Sequence, residues 1–261
     1  VMIDHPDLVR DVHRDFFAAG AQVATTNTYA VLRDRLQKYG NEDQFEALID
    51  AALSIAEAAR DAAGGGLIAA SLGPLGASYR PDLCPPPEQA AVIYAELIAL
   101  MQDRADILVF ETMSSVAQAE GGLLAARDAR KPVWIAMSVM DMDGSKLRSG
   151  EAVTDVARLV ETYGPAAVLL NCSRPEAISE GLKTVAQFGV PFGAYANGFT
   201  TISDGFLGAA PTVDALQSRK DLGPVEYADF AQSWVELGAT IIGGCCEVGP
   251  AHIAELKRRF A

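Results

Sequence analysis

Several features that would point to common classes of protein are missing from this sequence. No apolar run approaches the roughly 20 residues that a membrane-spanning helix needs. No basic segment followed by an apolar one opens the chain, so we expect no signal peptide. Lysine and arginine number 21 against 34 aspartates and glutamates, giving a net charge of −13. This charge argues against a nucleic-acid partner, whose phosphates need cationic side chains.

Cysteine is also scarce, with four residues in a chain of 261. Four cysteines are too few for a disulfide framework at this length. They fit a reducing cytoplasm, where cysteines more often bind metals or take part in catalysis, so we expect a cytoplasmic protein. The three histidines, His5, His13 and His252, lie on helix-like segments rather than at strand ends. Histidine-based metal binding or catalysis therefore has little support.

Short apolar runs alternate with amphipathic segments along the whole chain. Their regular β–α alternation predicts a parallel α/β fold, and runs that are apolar on both faces are typical of a buried parallel sheet. Seven strands after a leading helix predict a (β/α)8 TIM barrel that lacks its first strand, with residues 1–261 forming a single domain. A doubly wound sheet is the alternative, although no glycine-rich phosphate loop follows the early strands. The predicted strands are residues 22–26, 67–72, 106–110, 133–138, 166–170, 190–195 and 240–243.

Polar side chains directly follow the predicted strands. In a (β/α) barrel these positions share one rim, which is where active sites lie. Three of the four cysteines are therefore predicted to meet, while Cys84 lies in a proline-rich loop and is predicted to take no part. Adjacent cysteines rarely bond to each other, because the ring they would close is strained. The rim residues are Asn27, Thr28, Gly73, Glu111, Thr112, Ser138, Asp141, Cys172, Asn197, Cys245 and Cys246.

Three thiolates with one open position are typical of a catalytic rather than a structural zinc site. With Cys172, Cys245 and Cys246 as ligands, Zn²⁺ would carry a net charge of about −1 and would activate water poorly. Such a site favours binding a substrate thiol, whose pKa the metal lowers and which remains nucleophilic. The alternative is that the three cysteines are buried and inert.

Other rim residues have both a functional and a structural interpretation. Glu111 is positioned to bind a substrate ammonium group, or else to pair with an arginine. Asn197 offers a hydrogen bond or a neutral oxygen ligand for zinc, or is a turn residue before Gly198. Asn27 and Thr28 contact the substrate, or cap the next helix. Three aromatic residues either line a pocket for an onium group through cation–π contacts or belong to the core: Tyr79, Trp134 and Tyr195.

The sequence resembles the zinc-dependent homocysteine S-methyltransferases, which include the betaine– and S-methylmethionine–homocysteine enzymes. The most specific shared feature is Asn-Cys at 171–172 followed by Gly-Gly-Cys-Cys at 243–246. The matching stretches are residues 21–29, 73–77, 110–112, 170–172, 195–198, 242–246 and 250–253, in the family's order.

The resemblance implies a (β/α)8 barrel with Zn²⁺ held by Cys172, Cys245 and Cys246. It implies that Glu111 binds the amino group of homocysteine, and that Asn197 occupies the fourth zinc position in some relatives without substrate. The substrates would be homocysteine and an onium-type or methyl-corrinoid donor, and the product would be methionine. A homo-oligomer is one expected form of the protein.

Two departures from the family pattern bear on this expectation. The first strand of the family, with its Asp-Gly-Gly-type turn, has no counterpart in this sequence. Residues 247–249 replace the small residues usual after the cysteine pair, and Glu247 adds a negative charge there. An inactive or regulatory barrel that binds an amino acid or methyl donor without turnover is therefore an alternative, and a metal-dependent hydrolase is a third. Donor specificity is expected to lie in the loops at 73–87 and 199–224.

Overall fold

The structure is a computed structural model that describes residues 1–203, 205–208 and 213–261. Its centre is a parallel sheet of seven strands in the order β1-β2-β3-β4-β7-β8-β9. The seven predicted strands are confirmed. Neighbouring strands in this sheet follow one another in chain order. In a doubly wound sheet the strand order reverses at a switch point, so that alternative is wrong. The strands are β1 (Val23–Thr25), β2 (Leu67–Leu72), β3 (Ile107–Met113), β4 (Val133–Met137), β7 (Ala167–Asn171), β8 (Phe192–Tyr195) and β9 (Ile241–Ile242).

Helices surround the sheet. Five of them, α1, α4, α7, α8 and α9, carry proline in the first turn, where its missing N–H removes no helical hydrogen bond. The helices are α1 (Pro6–Ala19), α2 (Arg33–Lys38), α3 (Phe45–Ala63), α4 (Pro87–Met101), α5 (Val116–Ala125), α6 (Ala157–Tyr163), α7 (Pro175–Val185), α8 (Pro224–Glu236) and α9 (Pro250–Phe260), with 3-10 turns at Glu42–Gln44, Pro81–Leu83, Val153–Val156 and Val213–Ala215.

The Asp- and Gly-containing segment at 141–150 has the composition of a loop and lies outside the seven predicted strands, yet most of it belongs to a hairpin. An antiparallel hairpin forms there from β5 (Val139–Met140) and β6 (Asp143–Leu147). The hairpin packs on α7: a Cβ added at Gly144 would lie 2.0 Å from the carbonyl oxygen of Ala177. Most side chains of β6 are polar, so its sequence lacks the apolar alternation that predicts strands. Tertiary packing, rather than local propensity, therefore makes this element.

The core lies between the sheet and the helices. Its largest fully buried side chains include Trp234, Tyr94, Tyr227 and Phe110. The inner face of the sheet is filled by separate small clusters, one of them built on Ala136 and its neighbours. No helix in the described ranges is both long and apolar enough to cross a membrane. Residues 204 and 209–212 of the predicted loop at 199–224 lie outside the described residues.

Candidate functional site

Backbone hydrogen bonds hold the three rim cysteines at the ends of neighbouring strands. Cys172 directly follows β7, and Cys245 and Cys246 come shortly after β9. The Cys172 N–H donates to the Tyr195 carbonyl at 3.3 Å, and the Cys245 N–H donates to the Ala196 carbonyl at 2.9 Å. Cys172 itself has a left-handed backbone, with φ of 47°. The end of β8 therefore fixes the cysteines on either side of it.

The three sulfur atoms form one cluster and all lie within 4.8 Å of one another. The Sγ atoms of Cys172 and Cys245 are in disulfide contact, and those of Cys245 and Cys246 lie 3.9 Å apart. Tetrahedral zinc with Zn–S bonds of 2.3 Å separates its sulfur ligands by about 3.8 Å. The distance between Cys245 and Cys246 matches this value, whereas the sulfurs of Cys172 and Cys245 are closer and would have to separate to bind a metal. The convergence of three soft sulfur donors on one point, with all three of the predicted ligands, is what fits a zinc ion.

The electrostatics of the cluster also favour a cation. Cys246 is the exposed member, yet desolvation at the rim raises the pKa of its thiol, and the carboxylates of Glu111 and Glu247 add to this effect. A thiolate at Cys246 beside these carboxylates is therefore stabilised by a positive charge nearby. Cys84 lies outside the cluster. Burial raises its pKa to about 11, so at neutral pH it remains a thiol.

Glu111, at the end of β3, is a buried carboxylate that is 9% exposed. The Ser71 hydroxyl donates to its Oε1, and the Tyr195 hydroxyl donates to its Oε2 at 3.0 Å. Burial raises the pKa of Glu111, and the two hydroxyl donors oppose the shift. In the described part of the chain Glu111 forms no ion pair, so the alternative of an arginine partner finds no support. A bound ammonium group would supply the missing positive charge.

The remaining predicted binding residues divide into one that faces solvent and two that are buried. Asn27 is exposed. Thr28 is 2% exposed, and its hydroxyl donates to the Ser71 carbonyl at 2.6 Å. It therefore supports the residue that contacts Glu111. Neither residue caps the next helix, because the N-cap of α2 is Leu32. Direct contact of Asn27 or Thr28 with substrate stays a prediction.

Asn197 is 1% exposed and closes the turn after β8. Its Oδ1 accepts the Phe199 N–H at 3.2 Å, which is the local hydrogen bond of an Asx turn. Its own N–H donates to the Ser173 carbonyl at 3.1 Å. The structure thus shows Asn197 as a turn residue, and its role as a ligand or hydrogen-bond donor stays a prediction.

The three aromatic residues have different surroundings. The Tyr195 hydroxyl is engaged with Glu111. Trp134 packs against the clusters on the inner face of the sheet. Only Tyr79 presents a ring to a cation, and that cation is internal: the Arg148 guanidinium lies 4.9 Å from the ring centroid. Sequence reasoning missed Arg148, because it follows the hairpin that was not predicted, and missed Ser71, because a serine inside a strand carries no signal of its own.

Comparison with known proteins agrees with this site. Residues 1–260 match the sequence model of the homocysteine S-methyltransferase family. The chain is 30% identical to homocysteine S-methyltransferase of Escherichia coli, over 99% of this chain and 86% of that protein. It is 29% identical to homocysteine S-methyltransferase YbgG of Bacillus subtilis, over 98% and 84% of the two chains.

Solved structures show the same relationship. The metallated form of the homocysteine methyltransferase MmuM from Escherichia coli superimposes with a TM-score of 0.82 at 28% identity, covering 99% of this chain and 86% of that one. The oxidized form gives 0.81. The curled parallel sheet and its surrounding helices are thus the barrel-like architecture of these enzymes, as the sequence predicts. The chain belongs to the homocysteine S-methyltransferase family.

Proposed function

We propose that this protein transfers a methyl group from an onium-type donor to the thiol of homocysteine, giving methionine, with Zn²⁺ held by Cys172, Cys245 and Cys246. The observation that carries the proposal is the cluster of three cysteine sulfurs within 4.8 Å of one another. The cluster lies beside a buried carboxylate that has no cationic partner in the described residues. Family membership supplies the reaction class, and the cluster supplies the means of activating a thiol.

When bound, zinc would lower the pKa of the incoming thiol and hold its sulfur at the rim. The protein itself orients the rest of the substrate. Glu111 would accept the ammonium group of homocysteine, and the hydroxyls of Ser71 and Tyr195 keep its two oxygens in place. Thr28 fixes the Ser71 backbone in turn. This arrangement would position an amino acid whose side chain ends in a thiol.

The methyl transfer would be an in-line displacement. A lone pair of the substrate sulfur attacks the methyl carbon, and the bond from that carbon to the donor's sulfonium sulfur or ammonium nitrogen breaks. The electron pair of the broken bond stays on the donor, which leaves as a neutral thioether or amine. Such a leaving group needs no general acid, in keeping with the lack of histidines near the described cysteine cluster. The thiol proton passes to solvent before the attack.

The two alternatives make different demands on the site. A metal-dependent hydrolase needs a metal that activates water, and three thiolate ligands are poorly suited to this. A barrel that binds without turnover would retain affinity for homocysteine or the donor but form no methionine. We further propose a cytoplasmic protein that acts on small molecules rather than on nucleic acid or membranes. A homo-oligomeric assembly stays a prediction.

The decisive experiment combines metal analysis with product formation. Protein purified under reducing conditions should contain one zinc per chain and form methionine from homocysteine and a methyl donor. S-methylmethionine and glycine betaine would be the sulfonium and ammonium probes. Cys245→Ser should lose zinc and activity together, and Cys84→Ser is the matched control that should keep both. Full zinc loading of the Cys245→Ser variant would contradict the proposal, as would unaltered activity in protein stripped of metal.

A further inference from the structure

Arg148 and Asp141 form an ion pair at the rim, beside the cysteine cluster. Arg148 follows β6, and Asp141 lies in the turn between β5 and β6. The guanidinium makes two hydrogen bonds to the carboxylate, at 3.1 and 2.7 Å. Each side chain is only 10% exposed, and no other ion pair among the described residues has both partners so buried. Separating the two side chains would leave an uncompensated buried charge. The pair therefore stays together and restrains the segments that contact it.

The pair connects three separate segments of the rim. Arg148 Nε donates to the Ser138 hydroxyl, after β4, at 3.2 Å. Its guanidinium lies over the ring of Tyr79, in the loop after β2. Asp141 Oδ2 accepts the N–H of Ile202, in the segment after β8, at 2.7 Å.

These contacts reach the cysteine cluster through Tyr79. The Tyr79 hydroxyl donates to the Cys172 carbonyl at 3.4 Å, and the Ser138 hydroxyl lies at the same distance from that oxygen. The Tyr79 ring also contacts Phe206, with ring centroids 5.9 Å apart. Tyr79 has a left-handed backbone, with φ of 60°, an uncommon conformation for a bulky residue. Its position therefore depends on such neighbours.

The pair and Tyr79 take no part in the hydrogen bonds that hold Glu111. In the described chain, Glu111 receives these bonds from Ser71 and Tyr195, and neither residue is hydrogen-bonded to the pair. If Glu111 holds homocysteine, as the proposed function requires, the methyl donor must approach from elsewhere around the sulfurs. The pair and Tyr79 border such an approach. The guanidinium already covers one face of the Tyr79 ring, so that face is closed to an onium group.

We propose that Arg148 is a positioning residue for the methyl donor. Paired with Asp141, it holds Tyr79 and the segment at Ile202 in place beside the cysteine cluster and thereby determines which donors react. The inference rests on the proposed function for its kinetic consequences, but the ordering of the Ile202 segment does not. Lysine cannot replace Arg148, because an ammonium group lacks the planar fork that makes two parallel bonds to a carboxylate.

The test uses the zinc-loaded protein and three variants. Arg148→Met removes the guanidinium, and Arg148→Lys keeps only its charge. Arg148→Met combined with Asp141→Asn removes the pair without leaving a buried charge, and an asparagine oxygen can still accept the Ile202 N–H. The matched control is Arg33→Met, since Arg33 also forks onto a carboxylate, Glu96, and lies 4.2 Å from the centroid of an aromatic ring, on the helical layer.

We expect Arg148→Met and Arg148→Lys to raise the KM for S-methylmethionine by roughly ten- to a hundredfold, the range that small misplacements cause. The KM for homocysteine should stay within about twofold. The ratio of kcat/KM between S-methylmethionine and glycine betaine should change, because Tyr79 loses the guanidinium that covers one of its faces. The double variant should regain the thermal stability of the wild type but not its donor KM, and Arg33→Met should behave as wild type.

Two kinetic results would overturn the inference. One is a double variant that recovers the donor KM along with stability, because the pair would then act only on folding. The other is an equal rise in the KM for homocysteine and for the donor. Hydrogen exchange at the Ile202 amide provides a readout without turnover: exchange should accelerate in Arg148→Met and not in Arg33→Met. If the wild type transfers no methyl group, the proposed function fails, and unchanged exchange at Ile202 would separately refute the positioning role.

Discussion

Replacing Glu111 by glutamine tests the binding site for the amino group while keeping the shape of the side chain. The carboxylate is buried, receives two hydroxyl hydrogen bonds and has no cationic partner in the described structure. Glutamine retains an oxygen that accepts one of these bonds, and its NH₂ can donate to the other hydroxyl. The variant therefore loses the negative charge and little else. We expect the KM for homocysteine to rise and the KM for the donor to stay unchanged.

The magnitude follows from the kind of interaction that is lost. Hydrogen bonds to charged groups contribute about 1.5–3 kcal/mol. Glu111 is 9% exposed, so solvent screens the pair only weakly, and a loss of about 2–3 kcal/mol corresponds to a roughly 30- to 150-fold increase in KM. Stability should not fall with it. The buried carboxylate disfavours its own charged form, so the neutral glutamine should unfold at the same temperature as the wild type or higher.

The pH dependence has a defined sign. Burial raises the pKa of Glu111 in the folded protein above the ordinary value of 4.5. In the pH window between these two pKa values the folded state holds the proton that the unfolded state has released, so stability from this group falls as the pH rises. Homocysteine binding, which needs the carboxylate, should instead strengthen as the pH rises through that window. Glu111→Gln should remove both effects.

The assay is steady-state kinetics with each substrate varied in turn, together with zinc content and thermal unfolding. Glu120→Gln is the control, since Glu120 pairs with Arg158 at the surface of α5. A homocysteine KM within threefold of the wild type would refute the role of Glu111 in binding the amino group. Loss of zinc from Glu111→Gln would refute it differently, by showing that the carboxylate acts on the metal site.

Three further results are expected. Tyr195→Phe removes one of the two hydrogen bonds to Glu111 but leaves its charge, so in steady-state kinetics the KM for homocysteine should rise less than in Glu111→Gln, with the donor KM unchanged. Gly193→Ala would place a Cβ 1.7 Å from the carbonyl oxygen of Ile241 in the paired strand, and calorimetry should show unfolding at least 10 °C lower, from a loss of several kcal/mol. Cys84 has a pKa of about 11, so its alkylation by iodoacetamide, followed by mass spectrometry, should still accelerate about tenfold per unit between pH 8 and 10.

The strands and the cysteine cluster could be predicted because their signals are local and repeated. Each strand is a short apolar run bounded by turn residues, and a parallel sheet places every strand end at the same edge. This rule alone was enough to predict that Cys172 lies close to the pair at 245–246. Glu111 followed from the same rule, since a carboxylate directly after four apolar residues must lie at that edge.

The hairpin at 139–147 and its ion pair could not be predicted, because their stability is not local. The sequence of β6 is mostly polar, and its place is set by packing against α7. Arg148 contacts Asp141 and Tyr79 only because the hairpin folds the chain back on itself. The partners of Glu111 were hidden for a related reason: Ser71 and Tyr195 lie 40 and 84 residues from it in the sequence.

Curvature of the sheet, rather than sequence proximity, makes the cysteine cluster. Cys172 follows β7 and Cys245 follows β9, and these strands are separated by β8. Strands two apart in a flat sheet lie about 9.6 Å from each other, yet the Cα atoms of the two cysteines are 5.8 Å apart. The chain closes this gap by turning inward, with a left-handed residue at Cys172 and with Gly244, where a Cβ would lie 2.1 Å from Val248. Gly244 is therefore part of the site, because a side chain there would collide with Val248 and displace the turn that carries Cys245 and Cys246.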